Sequence, residues 1–264
     1  MPYPLAGHTN SYHTYGLDEA LAGIAGAGFK GVELSAVPGW TEHVDLDSDP
    51  DEVRRKLDGY GLTAVSLSGH SDLTTREGLA HGVKAVEWAG RYGLTVVNTA
   101  VGGHESADEN ESAFLANIDE LADAAEKAGV VIALEIHGDI MASSDVTLPL
   151  LEKVGRDSVK VNYDTANVEY YSGDLAVDDL PKITSELAHV HLKDTTGGKG
   201  NWNFPGIGDG HVDFGRVLQI LRDAGYSGPL SVEIEFEGEP WPSLDEVNAA
   251  MKRSYEHLSS LGAS

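Results

Sequence analysis

The chain has 264 residues, with 43 acidic and 18 basic side chains, a formal net charge of -25 and no cysteine. The lack of cysteine excludes a disulfide framework, a thiolate metal site and a cysteine nucleophile. The acidic balance argues against nucleic acid, whose phosphate backbone is bound by clustered Lys and Arg. The first residues, MPYPLAGHTN, lack the basic and apolar parts of a secretory signal, and no segment approaches the roughly 18 apolar residues of a membrane span. We therefore expect a cytoplasmic protein.

One pattern repeats along the chain: a short β-branched run, a polar loop, and a helical pattern that often ends at glycine. It predicts eight strands, near residues 3–7, 31–34, 62–67, 95–99, 130–136, 159–163, 189–192 and 230–234. It predicts eight helices, near residues 17–27, 50–60, 76–92, 111–128, 145–154, 178–186, 214–224 and 243–258. Glycine directly follows several of these helices, where a left-handed backbone is favoured.

Eight alternating strand–helix units predict an α/β fold, a single-domain (β/α)₈ TIM barrel over residues 1–264. A doubly wound sheet would usually carry a phosphate-binding glycine loop after its first strand, and TNSYHTYG is not such a loop. The longest insertion, residues 193–212, follows the seventh strand and contains Trp202 and Phe204. Loops after strands form the catalytic face of a barrel, so we expect this insertion to be a lid or pocket wall.

Polar side chains lie at or just after the ends of most predicted strands. They are Glu33, His70, Asn98, Glu135, His137, Asp164, Asn167, His189, His191, Lys193, Glu233 and Glu235. In-out alternation turns the acids and imidazoles of strands five, seven and eight toward the barrel axis. Converging carboxylates repel one another strongly unless a cation lies between them. Oxygen-rich ligation with one imidazole favours Mg²⁺ or Mn²⁺, with Co²⁺ as a further candidate. His8, His13 and His104 receive no role beyond their location.

The segments LEIHG, NYDTAN, HVHLKD, FPGIGDGHVDF and GYSGPLSVEIE resemble those of the xylose isomerase-like barrels. These are sugar isomerases and epimerases that include the ketose 3-epimerases, and the resemblance extends over almost the whole chain. It implies that one metal ion is held by Glu135, Asp164, His191 and Glu233. Glu235 shares a face with Glu233 and remains an alternative ligand. Asn167 stands where the epimerases carry a histidine, and Lys193 follows strand seven where several carry an arginine.

The resemblance implies an enolisation. A metal that holds two adjacent oxygens of a hydroxy-ketone acidifies the carbon between them, and Glu135 and Glu233 can take and return its proton through an enediolate. Return to another carbon gives isomerisation, and return to the opposite face gives epimerisation. The candidate substrate contacts are Glu33, His70, His137, Asn167, Lys193 and Trp202. We expect Lys193 at the pocket mouth and His189 as a packed support below the ligand His191.

Three other functions stay open at this point. Elimination from a 3-keto-glycoside or a keto-inositol would make the protein a lyase, and Asn167 in place of histidine keeps that alternative alive. An apurinic endonuclease-like phosphodiesterase would need more histidines and a basic groove. A non-catalytic sugar-binding barrel would not require the four ligands. The resemblance also implies a homo-oligomer, an expectation that rests on analogy.

Overall fold

The computed structural model describes residues 3–102, 107–238 and 240–263. Eight parallel strands pair in sequence order, and the first strand also pairs with the last, which closes the barrel. The strands are β1 (Leu5–His8), β2 (Gly31–Ser35), β3 (Thr63–Ser68), β4 (Val96–Thr99), β5 (Val131–Glu135), β6 (Val159–Asp164), β7 (Leu187–Leu192) and β8 (Leu230–Val232). The predicted (β/α)₈ barrel is confirmed, and each predicted strand overlaps an observed one.

Helices follow the strands, and the longer ones cover the outside of the barrel. They are α1 (Leu17–Ala27), α2 (Pro50–Tyr60), α3 (Arg76–Tyr92), α4 (Ala107–Ala128), α5 (Ser144–Val154), α6 (Asn167–Tyr171), α7 (Ala176–Asp179), α8 (Phe214–Asp223) and α9 (Leu244–Ser260). Gly61 and Gly93 adopt φ of 67° and 92° directly after α2 and α3. A side chain would be strained there, which explains why these helices end where the sequence predicted. None of the described helices is long and apolar enough to cross a membrane.

One predicted helix was wrong. The pattern over residues 178–186 predicted a continuous helix, but α7 ends at Asp179 and is followed by two short 3-10 turns, Leu180–Lys182 and Thr184–Glu186. Pro181 lacks the backbone N–H that would continue the α-helical hydrogen bonds, and the backbone leaves helical geometry at Ile183, with φ of -121° and ψ of 5°. The short helix α6, directly after β6, was not predicted either.

The main core lies between the barrel and the helices. Leu134, Val190, Leu192 and Val232 point outward from their strands and are completely buried in it. Because strand residues alternate between faces, their polar neighbours point to the barrel axis. The outer apolar layer thereby fixes the register that brings the acids and imidazoles together at the C-terminal end of the barrel.

Candidate metal centre and active site

Four side chains from four consecutive strands converge at the C-terminal end of the barrel. Glu135 ends β5, Asp164 ends β6, His191 lies one residue before the end of β7, and Glu233 directly follows β8. One oxygen or nitrogen from each lies within 4.8 Å of the others, and all four residues are buried. The structure thus brings together the four residues that the resemblance implied as metal ligands.

The cluster is built around Nδ1 of His191. This atom lies 3.2 Å from Oε2 of Glu135, 3.4 Å from Oε2 of Glu233 and 3.8 Å from Oδ2 of Asp164. Neither Nδ1 of His191 nor Oδ2 of Asp164 has a hydrogen-bond partner among the described residues, although both atoms are buried. An unsatisfied buried polar atom is costly. Three carboxylates and one imidazole are a donor set that suits a hard divalent cation such as Mg²⁺ or Mn²⁺, so the residues present fit such an ion.

The three carboxylates differ in their charge state. Burial, reinforced by the charges of Glu135 and Glu233, raises the pKa of Asp164 to about 7, although Lys193 opposes the rise. Burial would also raise the pKa of both glutamates, but nearby cationic groups outweigh it. His191 and His70 hold the pKa of Glu135 well below its usual range, and Lys193 and His191 do the same for Glu233. Both glutamates are therefore ionised at neutral pH, and the neighbouring cationic groups make each a weaker base than a free carboxylate.

Glu135 is held in place by three neutral or basic side chains. Asn167 donates through Nδ2 to Oε1 at 2.9 Å, Asn162 donates to Oε2 at 3.2 Å, and Nε2 of His70 lies 2.9 Å from Oε2. Asn167 therefore contacts a candidate catalytic carboxylate as well as the cavity. These contacts leave Glu135 little freedom to rotate away from the cluster.

Glu233 is held by residues that the sequence reading missed. Nδ1 of His8 lies 2.9 Å from its Oε1, and Asn10 donates to the same oxygen at 3.0 Å and to Glu235 at 3.2 Å. His8 ends β1, and Asn10 lies in the 3-10 turn that follows it. The sequence reading had given His8 no role. The signal that could have identified both is the polar segment HTN directly after the first predicted strand, the position where the other site residues were sought. His13 lies outside this cluster, and His104 lies outside the described residues.

Glu33 and His189 lie below the cluster. Glu33 is completely buried, accepts from Asn98, and does not line the cavity, so its position does not match the expected substrate contact. Its Oε2 lies 3.0 Å from Nε2 of His191 instead. Burial lowers the pKa of His189 to about 3, and its two ring nitrogens lie 2.9 Å from Ser66 and 3.0 Å from Asn162. His189 has the buried, supporting position that was expected for it.

A cavity of about 270 Å³ lies above the cluster. It is lined by both candidate catalytic glutamates, by Glu235 and by residues from loops that follow β1, β2, β3, β5, β6 and β7. Five of the six expected substrate contacts line it: His70, His137, Asn167, Lys193 and Trp202. Asn10, Trp40 and Tyr171 line it as well.

Lys193 lies inside the cavity rather than at its mouth, which corrects the expected position. It is 2% exposed and ion-paired with Glu235, and its Nζ is 3.2 Å from Glu233 and 4.4 Å from the ring centre of Phe204. Burial would lower the pKa of Lys193, but the surrounding carboxylates raise it well above its usual range. Glu235 is thus engaged by Lys193 and lies outside the group of four converging ligand atoms.

The wall formed by the loop after β7 is anchored on Asp194, which the sequence reading did not single out. This buried carboxylate accepts four backbone N–H groups. They belong to Thr195, Gly208, Gly210 and Val212, at 2.8 to 3.0 Å. These contacts hold the two ends of the loop together. The same loop carries Trp202, which forms part of the cavity wall.

The chain is similar to several known proteins. A family model described as a xylose isomerase-like TIM barrel matches residues 21–261. An L-ribulose-5-phosphate 3-epimerase of Salmonella typhi is 28% identical over 203 residues, which cover 72% of this chain and 70% of that protein. A D-allulose 3-epimerase from Methylomonas sp. has 21% identity and a TM-score of 0.77 over 98% of both chains. A 3-keto-D-glucoside 4-epimerase from E. coli has 17% identity and a TM-score of 0.75 over 99% of this chain and 100% of that one. The two solved structures share the fold.

Proposed function

The chain belongs to the xylose isomerase-like TIM barrel family, and from this membership we propose that it is a divalent-metal-dependent sugar epimerase or isomerase. The observation that carries the proposal is the convergence of Glu135, Asp164, His191 and Glu233 beneath one cavity. The relatives described above are named as epimerases, which favours return of a proton over elimination. One is named for a sugar phosphate and another for a free ketose, so their names leave the phosphorylation of the substrate open.

The four converging residues would hold one Mg²⁺ or Mn²⁺ ion, whose charge would stabilise the negative charge that develops on substrate oxygens when a neighbouring C–H proton leaves. The chain itself supplies two positioned bases. Glu135 and Glu233 both line the cavity, both are ionised, and each is fixed by hydrogen bonds or ion pairs to several side chains.

The two glutamates approach the cavity from strands that are three positions apart around the barrel. One removes the proton from the carbon next to the carbonyl, and the other, after taking up a proton from solvent, returns one to the opposite face. The product is the epimer. Return of the proton to the adjacent carbon would interconvert a ketose and an aldose. His70 contacts Glu135, and its side chain is 21% exposed, so it connects that carboxylate to solvent.

The test is deuterium exchange. The Mn²⁺-loaded protein is incubated in D₂O with a panel of ketoses, keto-inositols and 3-keto-glycosides, and the products are followed by proton NMR. We expect deuterium at the carbon next to the carbonyl, together with an epimer or an aldose. Replacement of Glu135 or Glu233 by Gln should slow exchange by about 100-fold or more, and the exposed Glu237→Gln variant serves as the matched control.

Two results would contradict the proposal. The first is a purified protein that holds no divalent ion and keeps its activity after Glu135→Gln. The second is release of an elimination product from a keto-sugar without epimer or aldose, which would assign the protein to the lyases instead. The metal content of each variant is measured in parallel. A variant that keeps its metal but loses exchange has lost the proton carrier, whereas one that loses both has lost the cation.

A further inference from the structure

The cavity lining is rich in carboxylates and poor in lysine and arginine. Of the described residues that line it, three are glutamates, and Lys193 is the only lysine or arginine among them. The residues outside the described ranges contain neither Lys nor Arg. Asp164 adds a fourth carboxylate next to them, and the imidazoles of His70 and His137 also line the cavity. A phosphate monoester would add about -1.5 to -2 charges at pH 7, and among the described lining residues Lys193 is the one ammonium or guanidinium group that could receive them.

Lys193 is fully committed to the carboxylates around it. It is ion-paired with Glu235, and its Nζ lies 3.2 Å from Glu233 and 3.8 Å from Asp164. A phosphate that drew Lys193 away would leave buried carboxylates without their partner, and breaking a buried pair is strongly unfavourable. Lys193 therefore neutralises the site and does not serve as an anion receptor.

Two segments of the described chain whose backbone N–H groups could bind an anion are also occupied. The glycine-rich segment at residues 206–212 has the composition of loops whose N–H groups cradle phosphates. Here the N–H groups of Gly208 and Gly210 donate to Oδ2 of Asp194 at 2.8 and 2.9 Å. At the other candidate position, the N–H groups of Ala166 and Asn167 both donate to Oδ1 of Asp164 at 2.8 Å. In both places a carboxylate of the chain itself fills the position that a phosphate would need.

The remaining walls suit an uncharged sugar. Val37, Trp40, Tyr171 and Trp202 contribute apolar and aromatic surface to the cavity, and Trp40 is 43% exposed at its edge. The cavity volume of about 270 Å³ is smaller than the roughly 300–1,000 Å³ of pockets that bind drug-sized ligands. We infer that the substrate is an unphosphorylated monosaccharide ketose and that sugar phosphates are excluded. The inference rests on the proposed function and narrows its substrate class.

The test compares matched substrate pairs. L-ribulose and L-ribulose 5-phosphate, and D-fructose and D-fructose 6-phosphate, are titrated into the Mn²⁺-loaded protein by calorimetry, and deuterium exchange is measured separately for each. We expect the free ketose of at least one pair to bind about 100-fold more tightly than its phosphate. Tighter binding of the phosphorylated members would overturn the inference, whether or not exchange occurs. Tighter binding of a free ketose without any exchange would contradict the proposed function and leave this inference standing. No binding of any member would overturn both.

A variant pair tests the physical cause. Trp40→Arg adds a cation at the edge of the cavity, and Trp40→Gln removes the same ring without adding charge. Because a guanidinium can bind phosphate in a bidentate manner, we expect Trp40→Arg to bind the phosphorylated ketoses about tenfold more tightly than Trp40→Gln does. Equal affinity of the two variants would show that a missing cation is not what excludes the phosphate.

Discussion

Glu33 and His191 form a buried pair directly below the candidate metal centre. Oε2 of Glu33 lies 3.0 Å from Nε2 of His191, while Nδ1 of the same ring faces the three carboxylates of the cluster. A carboxylate that accepts from one ring nitrogen fixes the tautomer and makes the other nitrogen a better metal ligand. We therefore infer that Glu33 positions the ligand His191 and does not touch the substrate.

Replacement of Glu33 by Gln should weaken divalent metal binding. The variant keeps the shape of the side chain but removes the charge that supports His191, and losses of such outer partners typically cost about 10- to 100-fold in metal affinity. Calorimetric titration with Mn²⁺ measures the change. Glu42→Gln, which lies in the exposed loop after β2, is the matched control. Equal metal affinity of the two variants would contradict the positioning role.

Part of the site could be predicted from the sequence because it depends on local alternation. Leu134 and Val232 must face the helices, and period-two geometry then turns Glu135 and Glu233 toward the barrel axis. The eight repeated strand–helix units predict a closed barrel, and a closed barrel brings the C-terminal ends of all its strands to one face. Alternation and closure predict that the acids and imidazoles of strands five, seven and eight converge, whereas the choice of Glu135, Asp164, His191 and Glu233 as ligands depends on the resemblance to the xylose isomerase-like barrels.

The supporting contacts could not be predicted in this way because they join distant parts of the chain. Asn10 reaches Glu233 across 223 positions of sequence, and the contact exists only because β1 pairs with β8. Lys193 shows the same limit. Period-two alternation turned it inward but could not show that Glu235 would hold it inside the cavity. Such side chain–side chain pairings depend on the register of closure, which no local pattern encodes.

Removal of divalent metal should destabilise the protein. Asp164 and the two glutamates are buried next to one another, and a cation that binds only the folded state stabilises it by about 2.7 kcal/mol at a hundredfold excess over its Kd. Thermal unfolding with and without a chelator measures the effect. The Asp164→Asn variant should show a much smaller metal-dependent shift. A chelator that leaves the Tm of the wild-type protein unchanged would argue against a metal site.

Metal affinity should fall as the pH falls below about 7. The pKa of Asp164 is raised to about 7 from 3.8, by burial and the neighbouring glutamates, and that of His191 is raised well above its usual range despite its burial. Both groups therefore hold protons that a cation must displace. The raised pKa means that the folded, metal-free protein favours the protonated form of Asp164. The stability that this form contributes is full below about pH 3.8 and is lost as the pH rises through about 7. Stabilisation by metal should accordingly be larger at about pH 8 than at about pH 6.

Calorimetry at these two pH values, in buffers that differ in ionisation enthalpy, measures both the affinity and the protons released. Proton release on metal binding at the lower pH is the expected result. A metal affinity that is the same at both pH values, without proton release, would contradict this account of Asp164 and His191.

Asp194 should be needed for the loop after β7 and for substrate affinity. Its two oxygens accept four backbone N–H groups from residues 195, 208, 210 and 212. In Asp194→Asn, an amide N–H₂ must replace one of these oxygens, and because each oxygen accepts two of the N–H groups, two backbone donors lose their acceptor. Each unsatisfied group costs about 1–3 kcal/mol, and denaturant unfolding should show a loss of at least that size. Because Trp202 is carried by the same loop, KM should rise more than kcat falls.

Asp209→Ala is the matched control for Asp194, since it removes a carboxylate from the same loop. Asp209 is ion-paired with Arg253 at 2.6 Å, but both side chains are largely exposed, and surface pairs contribute only about 0–1 kcal/mol. The control should therefore keep both its stability and its KM. If Asp209→Ala and Asp194→Asn had the same effect, the loop would depend on its overall charge and not on the buried acceptor. A rise in KM confined to Asp194→Asn would instead link the buried carboxylate to the cavity wall, because its hydrogen bonds to residues 208, 210 and 212 join the two ends of the loop that carries Trp202.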